Sequence, residues 1–491
     1  MLGMALTRET MLARMLASDP AYDGRFITGV VSTGIYCLPS CKARKPRPEN
    51  VVFHATPDEA RAAGLRPCLR CRPDDFYLGY HADEVLVEGL ASALTLDPGS
   101  YRDLGALAAM AGVSLSKLHD LFRKHYHTTP ADFLARSRIR AAKRALLTTE
   151  RPITEIAFEV GFESLSTFGS NFRKYSAMTP QAFRRWRTGP VFELALPGDY
   201  PREVILRALA RDPPGPTARV EGHVYTTALR LGEARVVVQV SLNGRTARCA
   251  VSAGAGLEVG QRLELHGRLL GLLGLHADPL RFEAQVGREA DLRPLIEDRR
   301  GLRFPLLTDP FDALVWAILG QQVSFARACT LRFRLVERWG QPVAGGLYAL
   351  PSPEALARLG AADLLPLGLT RARAETLIGA ALAVADGRLP LAALEAQSVT
   401  RIERLLLAVR GIGPWTAHYV LMHGYGFPDC VPLGDSGLGE SLKRFFALGT
   451  RPTHPEMARL MRRFAPYRSL ATLRLWHHLT QPSPAGSQEN L

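Results

Sequence analysis

The sequence predicts a multidomain protein, mainly α with α+β parts, and three observations carry that reading. Four cysteines cluster between residues 37 and 71, which suits a small α/β domain gathered round a metal ion. A helix-turn-helix pattern then occurs twice, at residues 107–130 and 156–180. Beyond residue 188, short alternating β-branched runs give way near residue 301 to a helical pattern that continues to about residue 480. A chain of 491 residues is also longer than the roughly 250–300 at which a single core stops growing. The expected segments are 1–80 (small metal-binding α/β domain), 81–187 (tandem helix-turn-helix domain), 188–300 (antiparallel-sheet α+β domain), 301–482 (all-α domain) and 483–491 (disordered tail).

Composition narrows the function classes. Hydrophobic content of 47% and charged content of 22% are ordinary for a globular protein. A net charge of +14 is not ordinary and favours a polyanionic partner, nucleic acid before an anionic membrane surface. The excess is shared: residues 1–190 hold 26 basic against 19 acidic side chains (+7), and the remainder holds 35 against 28 (+7). No apolar run reaches the ~18 residues of a membrane span, so no membrane role is expected. The N-terminal "MLGMALTRETMLARML" carries acid and lacks a signal-peptide pattern. Seven cysteines, an odd number, suit a reducing cytosol, and a cytoplasmic, nucleoid-associated monomer is the expectation.

The cysteines are Cys37, Cys41, Cys68 and Cys71, spaced C-x3-C-x26-C-x2-C. Two close pairs separated by a loop are what a tetrahedral thiolate site for one Zn2+ per chain requires, and Pro39 and Pro67 stiffen the turns. A closed zinc site that only staples a small domain satisfies the same spacing. The neighbourhood points elsewhere: Lys42, Arg44, Lys45 and Arg47 follow the first pair, and Arg66, Arg70 and Arg72 surround the second. Such cations would hold phosphate beside electron-rich sulfur. With "DGRFITGVVSTGIYCLPSCKAR" and "ENVVFHATPDEARAAGLRPCLRCRPD", residues 18–75 resemble the N-terminal domain of Ada-type methylphosphotriester repair proteins. The resemblance implies that Cys37 takes a methyl group from a DNA phosphotriester, once per molecule, and that Thr33 and Arg44 flank the reacting phosphate. It also implies a switch, because a methylated sulfur loses its negative charge and DNA affinity rises.

The repeat comprises "LAAMAGVSLSKLHDLFRKHYHTTP" and "IAFEVGFESLSTFGSNFRKYSAMTP". Each copy runs from a small apolar helix through a glycine turn (Gly112, Gly161) to a helix with a serine N-cap (Ser114, Ser164). Ordinary helical hairpins would look alike. The second helices carry Lys117, Arg123, Lys124, Arg173 and Lys174, placed to meet DNA in major grooves. Residues 85–187 resemble the AraC/XylS-type DNA-binding domain, most strongly in "RPITEIAFEVGFESLSTFGSNFRKYSAMTPQAFR". That implies a promoter operator and makes RNA polymerase a candidate partner. A guanine methyltransferase, which follows in Ada itself, would need a "PCHR" motif that this sequence lacks.

Residues 188–300 contain "VFELAL", "HVYTTALRL", "ARVVVQVSL" and "TARCAVS", with Asn243-Gly244 as a hairpin signal and Cys249 as an inert core thiol. The informative stretch beyond is "LLLAVRGIGPWTAHYV". A helix ends, Gly411-Ile412-Gly413 turns, and a second helix starts near Pro414, which lets a phosphate approach backbone amides. Twenty residues on, "DCVPLGDSGL" puts Asp435 at the head of another helix, where an N-cap is the plain alternative to a catalytic role. Together with "DPFDALVWAILGQQVS" and "YRSLATLRLWHHL", these motifs make residues 188–480 resemble the AlkA-type branch (3-methyladenine glycosylase II) of the helix-hairpin-helix DNA glycosylases.

The resemblance makes Asp435 catalytic, beside the oxocarbenium ion that forms as an alkylated base leaves. It makes Trp415, Tyr419 and Trp476 a pocket for a cationic base, although core packing would also explain Trp476. Gln321 and Gln322 match the loop that enters the minor groove. Trp415 stands two residues after the second hairpin glycine, where strand-cleaving relatives have a lysine, so simple hydrolysis is expected. Only Cys430 follows residue 329, which leaves no ligand set for the family's optional iron–sulfur loop. The alternative is a methylation-sensing transcription factor whose C-terminal half binds DNA without catalysis.

Overall fold

The structure is a computed structural model that describes residues 6–77, 82–210, 212, 215–252, 256–297, 300–392 and 397–479. The expected tail at 483–491 lies outside the described residues. The chain forms two compact units, residues 1–89 and 90–491. Among the described residues no helix is long and apolar enough to cross a membrane.

The first unit is built on a four-stranded sheet in the order β3-β1-β2-β4: β1 Ile27–Val30, β2 Ile35–Cys37, β3 Val51–His54 and β4 Arg66–Pro67. β1 pairs antiparallel with β2 and β3, whereas β4 runs parallel to β2. Ile27, Tyr36, Leu38 and Ala60 form its small core. A unit of only 89 residues gains limited hydrophobic stabilisation, which is the usual reason such domains carry a metal.

In the second unit both helix-turn-helix copies form as the repeat predicts. Their second helices are Leu115–Tyr126 and Leu165–Ser176, each 12 residues long. The Ser114 and Ser164 side chains accept from the backbone amides of Lys117 and Thr167, so both serines are N-caps. Gly112 and Gly161 have φ of +63° and +97°, and a Cβ at Gly161 would lie 2.9 Å from Arg138 Nε.

A five-stranded antiparallel sheet follows in the order β5-β9-β8-β7-β6: β5 Val191–Ala195, β6 Ala218–Glu221, β7 Val224–Leu231, β8 Ala234–Asn243 and β9 Thr246–Ser252. Gly244 at φ +53° closes the predicted β8–β9 hairpin. The Cys249 thiol is buried in β9, and burial raises its pKa, in keeping with an inert core group.

The hydrophobic core does not divide at residue 187. One cluster runs from Ile139, Phe168 and Phe183 of the helix-turn-helix segment into Phe192, Val238 and Leu269 of the sheet segment. Trp186 packs on Phe192 with ring centroids 4.2 Å apart, and the Arg262 guanidinium donates to the Trp186 carbonyl at 3.0 Å. The all-α part has its own core, centred on helix Pro310–Gly320, whose described side chains are nearly all buried. It meets the first helix-turn-helix where His125 Nδ1 lies 2.9 Å from Thr400 Oγ1 and the His127 ring packs 5.8 Å from Phe427.

Candidate functional site

In the first unit, strand pairing assembles the cysteines. The parallel register sets Ile35 opposite Arg66 and Tyr36 opposite Pro67, so Cys37 and Cys68 emerge side by side from adjacent strand ends. The Cys68 amide donates to the Tyr36 carbonyl at 2.9 Å, and tight turns after each strand return Cys41 and Cys71. All four sulfurs lie within 4.8 Å of one another. Sulfurs bound to one tetrahedral zinc stand about 3.8 Å apart, so the cluster fits that ion. Cys41 and Cys68 are buried, whereas Cys37 and Cys71 are partly exposed.

Backbone amides of Ala43 and Leu38 bond to the sulfurs of Cys41 and Cys71, the latter at 3.4 Å. Such donation stabilises a thiolate and lowers its nucleophilicity. Cys37 is partly accessible, as an acceptor of a group from DNA must be. Thr33 and Arg44 are exposed on the two segments flanking it. Lys45 is not available to a phosphate, because its ammonium donates to the carbonyls of Met15 at 2.5 Å and Cys41 at 2.9 Å.

On the recognition helices, Lys117, Arg123, Lys124 and Arg173 are exposed. Lys174 is exposed like the others, but its ammonium also pairs with Asp132 at 3.2 Å and reaches the Tyr175 hydroxyl at 2.9 Å, which links it to helix Pro130–Thr148.

In the all-α part, helix Val399–Leu407 enters the hairpin and helix Pro414–His423 leaves it. Gly411 has φ +87°, and a Cβ there would stand 2.0 Å from Thr376 Oγ1, so the fold itself demands glycine. Nothing lies within 4 Å of a Cβ at Gly413, so packing within the fold does not demand that glycine.

Asp435 is an N-cap and more. Its Oδ1 accepts from the Leu438 amide at 2.7 Å and from Trp476 Nε1 at 3.0 Å, and its Oδ2 accepts from Trp415 Nε1 at 3.1 Å. Both tryptophans therefore orient the carboxylate with their indole N–H groups, a role beyond lining a pocket with ring faces. Tyr419 packs 5.5 Å from Trp415 and 4.2 Å from His423, and His423 stacks on Trp476 at 6.1 Å with 12° between planes. The wall is thus four rings long. Sequence reasoning missed His423, although Trp415, Tyr419 and His423 fall at i, i+4 and i+8 of one helix. Beyond His423 and Trp476 opens a cavity of about 890 Å3, walled also by Trp316, Phe304 and the buried Arg332–Asp312 pair.

The two glutamines separate. Gln321 turns inward, its amide donating to the Gly411 carbonyl and Thr416 Oγ1, both at 3.0 Å. It ties its loop to the hairpin. Gln322 is exposed and held at φ +53°, left-handed backbone that turns it away from this brace.

Comparison with known proteins matches these regions one by one. The metal binding domain of Ada matches residues 10–74, a helix-turn-helix domain matches 107–185, and the HhH-GPD superfamily base excision DNA repair protein matches 315–466. The four sulfurs and the Ada metal-binding match assign one zinc ion to the first unit. A DNA-3-methyladenine glycosylase of Bacillus subtilis is 30% identical over 294 residues, 59% of this chain and 97% of that protein. The fold is shared with the 3-methyladenine DNA-glycosylase from Archaeoglobus fulgidus, at a TM-score of 0.51 and 24% identity over 58% of this chain and 97% of that one. A Mycobacterium tuberculosis protein named "Probable bifunctional transcriptional activator/DNA repair enzyme AlkA" is 32% identical over 485 residues, 95% of each chain. With that identity sustained along nearly the whole of both chains, the chain belongs to the family of bifunctional transcriptional activator/DNA repair enzymes of the AlkA kind.

Proposed function

We propose that this protein removes alkyl damage from DNA at two separate centres and reports it through its helix-turn-helix units. The C-terminal half hydrolyses the N-glycosidic bond of alkylated bases such as 3-methyladenine. The observation that carries this reading is the Asp435 carboxylate, fixed by three donors at the edge of an aromatic wall. An alkylated purine already carries positive charge and leaves without a general acid. The protein must therefore extrude the base, hold it against electron-rich rings, and set negative charge beside the developing oxocarbenium ion. Trp415, Tyr419, His423 and Trp476 suit the second task, Asp435 the third, and Gln322 the space that the extruded base leaves. Gly413 and the first turn of helix Pro414–His423 grip the backbone. No lysine stands at the position of Trp415, so the strand is left intact.

At the other centre, Cys37 Sγ attacks the methyl carbon of a phosphotriester. An S–C bond forms, the C–O bond breaks, and the phosphodiester leaves as an anion. Cys37, Cys41, Cys68 and Cys71 would hold the zinc ion, which keeps the sulfurs as thiolates at neutral pH. Thr33 and Arg44 flank the phosphate. Exposed Lys117, Arg123, Lys124 and Arg173 contact an operator, with RNA polymerase as the regulator's partner and a bacterial cytosolic monomer as the working form.

Three experiments test the reading. Wild-type protein should release 3-methyladenine from methylated duplex DNA and Asp435→Asn should release it far more slowly; equal release by both removes Asp435 from the mechanism. After incubation with methylphosphotriester DNA, peptide mass spectrometry should find one methyl group on Cys37, and a methyl-free Cys37 ends the acceptor role. Zinc content should fall from one per chain toward none in Cys68→Ser.

A further inference from the structure

Val431 lies four residues before Asp435, and its amide donates to His418 Nδ1 at 3.1 Å. Nε2 of the same ring lies 3.1 Å from Glu403 Oε1. An imidazole whose Nδ1 accepts carries its proton on Nε2, so the ring is neutral and donates to Glu403. That hydrogen bond is the leading cause holding the Glu403 carboxyl below its ordinary range. One ring thus joins the helix before the hairpin (Glu403), the helix after it (His418) and the loop that carries Asp435 (Val431).

The remaining contacts of the loop show what the ring contributes. Upstream, the Cys430 amide donates to Ser469 Oγ at 3.0 Å, and Arg468 clasps Asp429 at 2.6 and 2.8 Å. Downstream, the Leu433 amide donates to the Val431 carbonyl at 2.9 Å and the Asp435 amide to the Pro432 carbonyl at 3.0 Å. These downstream bonds fix the shape of the turn without fixing its place. The Val431–His418 bond ties the turn to helix Pro414–His423, the helix whose Trp415 holds the Asp435 carboxylate. Trp415 and His418 lie three residues apart, so adjacent turns of one helix hold the carboxylate and its backbone.

We propose that His418 is a positioning residue for base excision: Nδ1 holds the Val431 loop so that Asp435 stays in register with the aromatic wall, and Glu403 fixes the tautomer that makes Nδ1 an acceptor. The proposal rests on the glycosylase reading of the C-terminal half. Loss of the tether lets Asp435 drift from the reacting sugar, which slows the chemical step and leaves duplex binding alone.

Side-chain geometry supplies the test. His418→Asn puts an oxygen near the place of Nδ1 and keeps the Val431 bond while losing Glu403. His418→Gln reaches the place of Nε2 and does the reverse. His418→Ala loses both. Single-turnover release of methylated bases from a methylated duplex should fall roughly 10- to 100-fold in the Gln and Ala variants, with the half-saturating duplex concentration unmoved and most of the rate kept in Asn. Hydrogen exchange of the peptide spanning 428–434 should rise in Gln and Ala and stay at the wild-type level in Asn. If Ala fails to fold, the Asn–Gln contrast decides alone, since both keep a polar side chain. Asn as impaired as Gln, or wild-type rates throughout, overturns the proposal. A wild-type protein that releases no base sinks the glycosylase reading instead, and the exchange pattern then still decides whether the tether exists.

Discussion

Capping a helix does not exhaust what the Asp435 carboxylate does, because two indole N–H groups also donate to it. An aspartate after a glycine at a helix start is ordinarily an N-cap, and Asp435 does cap helix Ser436–Phe445. Capping uses a single lone pair, and the two indole N–H groups take others. Trp476→Phe keeps a ring in the wall and removes one donor to a charged acceptor, a change of about 1.5–3 kcal/mol. If the locked orientation matters, the single-turnover rate should drop about tenfold or more while affinity for undamaged duplex holds. An unchanged rate would mean that the ring face alone does the work of Trp476. Asp435→Asn keeps the cap and the shape and removes the charge, so a loss of roughly 100- to 1,000-fold is expected, with the melting temperature near wild type. The sequence could suggest these residues but not the direction of the indole N–H groups, because that direction depends on helix Arg468–Leu479 packing beside helix Ser436–Phe445.

At the scale of the element, the hairpin separates two glycines that look equivalent in "RGIGP". Gly411 is held by its own fold, with positive φ and Thr376 against it; Gly413 faces open space. Gly411→Ala should destabilise the protein by more than 1 kcal/mol, from strain and collision together. Gly413→Ala should leave the melting temperature nearly unchanged and weaken duplex binding; the reverse pattern in paired thermal melts and binding titrations would exchange their roles. Elements of this kind were legible in advance. The serine caps, the glycine turns, the Asn243-Gly244 hairpin and the hairpin-led helix are local chemistry, and local chemistry is written in adjacent residues. The inward turn of Gln321, the pairing of Lys174 with Asp132 and the His418 tether all join residues 13 to 95 positions apart, so no window of sequence contains them.

At the scale of the molecule, the chain is less modular than its segments suggest. The helix-turn-helix and sheet segments share one core, and the first helix-turn-helix meets the all-α part at His125 and His127. His127 ends helix Leu115–Tyr126 at φ +49°, with its ring against Phe427 and Nδ1 4.0 Å from Cys430 Sγ. Burial pulls its pKa from 6.5 down to about 4, against the opposing pull of Asp429. The unfolded chain binds that proton below about pH 6.5 and the folded chain does not until about pH 4. More protons bound in the unfolded state means stability that rises with pH, so this seam is fully stable above pH 6.5 and weakens as pH falls through the window toward 4. Asn tolerates the same left-handed backbone and has no proton to bind. Between pH 6.5 and 4 the melting temperature of His127→Asn should therefore fall less steeply than that of wild type, with the two curves parallel above pH 6.5. His266 and His276 are also buried with depressed pKa values and contribute equally to both curves, so only the difference between them reports on His127. Parallel curves across the whole range would mean that the ring is wet and the regulator is not seated on the glycosylase half in solution.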